Sequence, residues 1–282
     1  MPELPEVEVL VRYLNPLVSG KVIEQATVHR AKSVRPGSVS RMRRIVEGSK
    51  IISLRRRAKY LLFELKRGKG DAFLMLGHLG MTGRMYVQST RKPLPKHTAV
   101  SFRLGRGVFV FEDTRYFGRL TLDTTSLDSL GPEPLSEDFS GKILHAALGH
   151  CKQAIKPKLL DQTLLAGVGN IYASEVLWRA RISPRKMSRR LTLIQCEALA
   201  QSIVEVFTEA IKCGNTVALN FSGDGESDGV FYYGSQDEDE DYEERLMVYD
   251  GEGEPCERCA TPIRKIVQAA RSTFFCPKCQ RG

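Results

Sequence analysis

Cys256-Glu-Arg-Cys-Ala-Thr-Pro-Ile-Arg-Lys-Ile-Val-Gln-Ala-Ala-Arg-Ser-Thr-Phe-Phe-Cys-Pro-Lys-Cys279 holds two CxxC pairs separated by sixteen residues. Each pair can place two thiolates on one side of a tight turn, and two such turns complete a tetrahedral four-sulfur site. A redox dithiol is the competing reading of one CxxC; two pairs at this spacing favour zinc. A zinc ion held by four protein ligands has no open position for chemistry, so its use lies in what it displays. Arg264, Lys265, Arg271 and Lys278 lie in this stretch, and no acidic residue follows Glu257. A rigid basic hairpin suits contact with a phosphate backbone. The expectation is a finger over Cys256, Cys259, Cys276 and Cys279 with one structural Zn2+.

Upstream, Leu246–Tyr249 reads as a short strand, entered from a Gly-, Ser- and Asp-rich stretch over 222–245. Within it, Gln236-Asp-Glu-Asp-Glu-Asp-Tyr-Glu-Glu244 carries seven acidic residues. The 282-residue chain has a net charge of +9, so the remainder carries +16. A body that basic points to a polyanion, and nucleic acid is the commonest. The other cysteines, Cys151, Cys196 and Cys213, sit in helical patterns and read as small buried apolar residues. No apolar run reaches the roughly 18–20 residues of a membrane helix. With no export signal visible, the reading is a cytosolic protein, and no long heptad asks for a second copy.

The rest divides by periodicity. Residues 3–18 read as a helix in which Val7, Leu10, Val11 and Leu14 share a face until Asn15-Pro16 stops them. From 21 to 123 short β-branched or alternating runs follow: Lys21–Val28, Ile51–Leu54, Tyr60–Leu65, Ala72–Leu76, Arg84–Val87, Ala99–Leu104, Gly107–Phe111 and Leu120–Leu122. Many short strands at this spacing make a sandwich or a barrel. A hinge is expected over 124–138, where Gly131-Pro-Glu-Pro breaks the pattern. Helices are expected near 139–151, 155–162, 170–180 and 190–213, the last with Ser188 or Thr192 as cap. The domains are thus 1–123, a linker 124–138, a helical domain 139–245 and a finger 246–282. The fold class is α+β and multidomain.

Pro2 and its glutamates carry the sharpest chemical hint. Proline after methionine normally leaves a secondary amine at the chain start, and an α-amino group titrates near neutrality. Such an amine can form an iminium with a sugar aldehyde. Glu3 and Glu6 lie within a turn of it, and could act as general acids or simply favour a helix N-terminus. Gly167-Val-Gly-Asn170 lacks the preceding strand and third glycine of a dinucleotide loop, and Gly223-x-Gly225 fails likewise.

Pro2-Glu-Leu-Pro-Glu-Val-Glu8 resembles the amino terminus of the bacterial formamidopyrimidine-DNA glycosylase family, which repairs oxidised purines. Further stretches match in order: Arg56-Arg-Ala-Lys-Tyr-Leu-Leu62, His78-Leu-Gly-Met-Thr-Gly83, Asp113-Thr-Arg-Tyr-Phe-Gly118 and Gly131-Pro-Glu-Pro-Leu135. So do Ala154-Ile-Lys-Pro157, Gly167-Val-Gly-Asn-Ile-Tyr-Ala-Ser-Glu175 and the cysteine stretch. Leu4 in Pro-Glu-Leu-Pro favours this branch over endonuclease VIII. The resemblance implies an amino-terminal β-sandwich with a leading helix, a helix–two-turns–helix domain and the zinc finger. It implies a bifunctional glycosylase and abasic-site lyase on double-stranded DNA; a monomer is expected because no long heptad or exposed apolar stretch asks for a partner. Its catalytic set would be Pro2, Glu3, Glu6, Lys59 and Arg271, with Pro2 as Schiff-base nucleophile. Lys59, His78, His97, Lys156, Asn170 and Arg271 would bind DNA. An enzyme of this kind must flip the damaged base out of the duplex, and Met81, Arg115 and Phe117 would fill the void.

The chain also departs from the family. The stretch Asn220–Tyr233, where the family closes a loop over the everted base, is followed by the acidic run. That run is either a solvated tip or an electrostatic gate. Tyr116 stands where the family usually has a second basic residue, and Ala99 in a stretch that often has histidine. Both weaken expected polar contacts. An oxidised-pyrimidine specialist and a catalytically idle DNA binder are the rival readings.

Overall fold

The computed structural model describes residues 2–214 and 246–281. The expectations for 220–233 and 236–244 lie outside the described residues. Two compact units divide the chain, 2–128 in one and 129–213 with 246–281 in the other.

The first unit opens with α1 (Leu4–Val18), which buries Leu4, Val7, Leu10, Leu14 and Val18. Each such side chain contributes roughly 1.5–3 kcal/mol on burial. Pro16 does not end the helix as the sequence suggests: its missing N–H costs one bond in the last turn, and Ser19 N–H closes on the Asn15 carbonyl at 2.9 Å. The next elements are β1 (Gln25–Val28), α2 (Val39–Val46), β2 (Lys50–Arg57), β3 (Tyr60–Lys66), β4 (Ala72–His78), β5 (Gly83–Ser89), β6 (Thr98–Leu104), β7 (Gly107–Asp113) and β8 (Arg119–Thr121). They make two four-stranded antiparallel sheets, β2-β3-β4-β8 and β1-β6-β7-β5. Phe63 of β3 meets Phe109 of β7 edge to face, centroids 5.5 Å apart, within the shared core. This is the sandwich.

Two local expectations are corrected. The strand expected over Lys21–Val28 begins only at Gln25, because the preceding backbone pairs elsewhere: Ile23 N–H bonds Ser49 O at 2.9 Å and Ile51 N–H bonds Lys21 O at 2.8 Å. Helix α2 lies between two expected strands, where no element was expected. Ser38 caps it by accepting the Arg41 N–H at 3.2 Å.

The second unit contains α3 (Gly141–Leu148), α4 (Ile155–Leu159), α5 (Asn170–Arg179) and α6 (Leu193–Gly214), then the hairpin β9 (Arg264–Gln268) and β10 (Arg271–Phe275). Thr192 is the α6 cap: its Oγ1 accepts the Gln195 N–H at 3.3 Å while Gln195 Oε1 accepts the Thr192 N–H at 3.2 Å. The strand expected at Leu246–Tyr249 is absent. The N–H groups of Met247, Val248 and Tyr249 bond instead to the Glu175 carboxylate at 2.8–3.0 Å. Among the described residues no helix is long and apolar enough to cross a membrane.

Candidate nucleic-acid interface and zinc centre

In the first unit, side-chain contacts set the direction of α1 on the sheet. Leu54 N–H bonds Asn15 Oδ1 at 2.9 Å, and Arg56 Nε bonds Glu8 Oε2 at 2.7 Å. Going from Asn15 to Glu8, the helix therefore advances along β2 toward its C-terminal end. That brings residues 2–6 toward the Ala58-Lys59 turn joining β2 to β3. Glu3 and Glu6 are buried, at 2% and 4% exposure. The Glu6 carboxylate accepts the Glu3 N–H at 2.7 Å, the return half of a capping box, and so fixes the backbone that carries Pro2 and Glu3. Glu6 thus has a positioning part.

Lys59 follows Ala58, whose φ of 53° turns the chain, and Lys59 is itself buried at 6% exposure. Register places Tyr60 opposite His78, and His78 opposite Arg119. Burial, then the charges of Lys59 and Arg119, depress the His78 imidazole to about 4. Its Nδ1 accepts the Gly80 N–H at 3.1 Å, so the neutral ring offers Nε2–H. The ring that the resemblance assigns to DNA binding is therefore neutral near pH 7.

The turns carrying Met81 and Arg115–Phe117 are locked together. Asp113, fully buried, accepts the Thr82 hydroxyl at 2.6 Å, the Gly118 N–H at 2.7 Å and the Arg115 N–H at 3.1 Å. Gly80 has φ +67°, and a Cβ there would lie 2.6 Å from Gly118 N. Only glycine allows the two turns to touch. Out of this base project Met81, 40% exposed, and Phe117, 47% exposed. Side chains this open stand at the surface rather than in the core. The Arg115 guanidinium lies over the Phe117 ring at 4.9 Å. His97 sits beside this turn, its Nδ1 3.3 Å from the Tyr116 hydroxyl.

In the second unit, Asn170 begins α5 and Arg271 begins β10, where it is exposed. Lys156 lies between them but is fully buried. Its ammonium bonds Asn170 Oδ1 and, at 2.9 Å, the carbonyl of Ser272. This corrects the expectation that Lys156 touches DNA: it joins the start of α5 to the finger hairpin. With Oδ1 so engaged, Asn170 has its amide NH2 to offer a phosphate. The nine candidates from Pro2 to Phe117 thus lie in one unit, and Lys156, Asn170, Arg271 and the cysteines in the other.

The four cysteine sulfurs lie within 4.8 Å of one another. Four soft thiolates at that separation fit one tetrahedral Zn2+, whose binding would knit the two turns together. The Trp178 indole N–H points to Cys256 Sγ at 3.4 Å, and Arg258 stacks on the same ring at 3.7 Å while donating to the Trp178 carbonyl at 2.6 Å. Gln280 Nε2 bonds the Ile182 carbonyl at 3.1 Å. The finger is thereby fastened to the end of α5.

Family models cover nearly all of this architecture. The formamidopyrimidine-DNA glycosylase N-terminal domain matches residues 1–120, and the H2TH domain of the same enzymes matches 130–221. A zinc finger found in FPG and IleRS matches 253–282. The formamidopyrimidine-DNA glycosylase of Halalkalibacterium halodurans is 38% identical over 100% of both chains, and one from Escherichia coli is 40% identical over 100% of both. The chain belongs to the formamidopyrimidine-DNA glycosylase family. A Lactococcus lactis Fpg solved with abasic-site DNA superposes with a TM-score of 0.85 at 33% identity, covering 99% of this chain and 100% of that one. The same organism's protein with DNA holding an oxidised pyrimidine gives 0.86 at 34%, with full coverage of both.

Some residues of this family member's sites escaped the sequence. Arg30 and Lys32 pack on the Tyr116 and Phe117 rings at 4.9 and 5.5 Å. Two cations among 42 Lys and Arg give no signal of their own. Asp113 opened a quoted motif, yet its three bonds needed the fold to be seen. Glu175 and Trp178 were hidden because their partners lie 70 or more residues away.

Proposed function

We propose that the chain is a bifunctional DNA glycosylase and abasic-site lyase that removes oxidised purines, 8-oxoguanine and formamidopyrimidines, from double-stranded DNA. The observation that carries this is the buried Glu3 next to Pro2 at the capped start of α1, a helix whose contacts with β2 run toward the Ala58-Lys59 turn. In this reading Met1 is removed and the Pro2 amine, unprotonated in part near neutral pH, attacks the anomeric carbon of the deoxyribose. The damaged base leaves with the glycosidic electron pair, and Glu3 assists ring opening and proton transfer. The resulting iminium acidifies the neighbouring carbon, so that two eliminations cut the strand on either side of the sugar. Lys59, neutral His78, Asn170 and Arg271 hold phosphates around the lesion. Met81, Arg115 and Phe117 occupy the gap left by the everted nucleotide.

Borohydride trapping on duplex DNA with a single abasic site tests the chemistry. A covalent adduct with wild type, absent from Pro2→Gly, is the expected result; an equal adduct in both would place the nucleophile elsewhere. Mass spectrometry of the trapped peptide then identifies the first residue. A second reading, preference for oxidised pyrimidines, draws on the Lactococcus lactis complex with such DNA. Single-turnover excision from matched duplexes with 8-oxoguanine or an oxidised pyrimidine separates the two.

A further inference from the structure

The turn at Arg115–Phe117 is held by a residue that the family resemblance counted as a loss. Tyr116 has φ +53°, a left-handed conformation that an aromatic residue adopts only when its surroundings impose it. The surroundings are specific. On one side the Arg30 guanidinium stacks over the Tyr116 ring at 4.9 Å. On the other, His97 Nδ1 shares a hydrogen bond with the Tyr116 hydroxyl at 3.3 Å, the two ring centroids 6.2 Å apart. The ring is half-buried against the sandwich core, whereas its neighbours Arg115 and Phe117 stand exposed. Lys32, two residues from Arg30, reaches over Phe117 at 5.5 Å. One short segment, 30–32, therefore braces two consecutive aromatic rings.

We propose that Tyr116, clamped between Arg30 and His97, is a positioning residue that holds Arg115 and Phe117 in their inserting geometry before DNA arrives. The inference rests on the reading of Met81, Arg115 and Phe117 as void fillers. A strained turn stabilised by its own ring contacts is preformed, so the ordering of the wedge is complete before the base leaves the stack. Without the clamp the turn relaxes, and each insertion must first restore it. The clamp acts on the rate of insertion rather than on the chemistry that follows.

The test is stopped-flow fluorescence with 2-aminopurine placed opposite an abasic-site analogue in duplex DNA, which brightens as the wedge unstacks it. Tyr116→Leu removes both the stacked cation and the hydroxyl bond, and is expected to slow the rise about tenfold. Arg30→Gln, at an exposed position, is expected to slow it about threefold. Tyr116→Gly separates positioning from mere structure. It relieves the left-handed backbone, so a purely structural tyrosine predicts a loss of stability, set by the missing ring contacts, with insertion as in wild type, whereas the clamp predicts slow insertion in the fully folded protein. Phe117→Ala supplies the control for the underlying reading. If it brightens 2-aminopurine as wild type does, the wedge assignment fails. If Phe117→Ala abolishes the rise while the Tyr116 and Arg30 variants match wild type, the wedge stands and the clamp is overturned.

Discussion

His78 accepts the Gly80 N–H on one ring nitrogen and is crowded by Lys59 and Arg119, so its proton affinity is set by the fold rather than by its residue type. Burial, the larger influence, and those cations depress it from 6.5 to about 4. The unfolded chain therefore binds a proton in a window where the native protein does not, and stability falls as the pH drops from about 6.5 toward 4, by on the order of 3 kcal/mol. Above that window the contribution is constant. His78→Gln should flatten the profile, read as denaturant midpoints between pH 7 and pH 4; a wild-type slope in the variant would contradict it. The residue scale is also where the sequence misled most. Lys156 advertised a charge for DNA, yet its ammonium is spent on Asn170 and Ser272, because a side chain's type does not specify its neighbours.

Strand β3 was legible because its side chains alternate between more and less buried positions, a period that sequence records directly, and β6 and β7 because their β-branched and aromatic runs stand between turn residues. Helix α2 was not, since Arg41, Arg43 and Arg44 obscure a face that buries only Met42 and Val46. Nor was the segment 246–249, whose backbone pairs with a carboxylate rather than a strand. The finger was legible in its ligands but not in its strain. Ala269 and Ala270 turn the β9–β10 hairpin with φ of 48° and 57°, where an Asn-Gly pair would be at ease. Ala270→Gly removes a left-handed penalty of about 1 kcal/mol and should slow hydrogen exchange across 264–275 by several-fold. Faster exchange would show that the turn bears no strain. The same element carries its own reporter. Trp178, the chain's one tryptophan, donates to Cys256, so chelating zinc should change its emission as the hairpin loosens. Trp178→Phe keeps the ring in the core but loses the N–H, and zinc release to a chromogenic chelator should quicken about tenfold. Equal release rates would reduce Trp178 to packing.

Across the whole molecule, charge was legible as a total and illegible as a pattern. The net charge of +9 announced a polyanion, but which cations meet phosphate depends on exposure and on ion pairing that only the fold reveals. Arg56 is tied to Glu8 at 2.7 Å and Arg179 to Glu209 at 2.6 Å, so both are already compensated within the protein. Arg271 is exposed at the start of β10, whereas Lys59 is buried in the turn ahead of β3. Salt dependence distinguishes these classes, because each cation that replaces a counterion on duplex DNA contributes about −0.9 to the slope of log affinity against log salt. Arg271→Ala should make the slope shallower by about that amount. His78→Gln should weaken binding at one salt concentration while leaving the slope as in wild type, since a neutral N–H displaces no counterion. Arg179→Gln should change neither. A slope that became shallower on loss of His78 above pH 6.5 would mean that DNA binding charges the imidazole, and the neutral-donor assignment would fall with it.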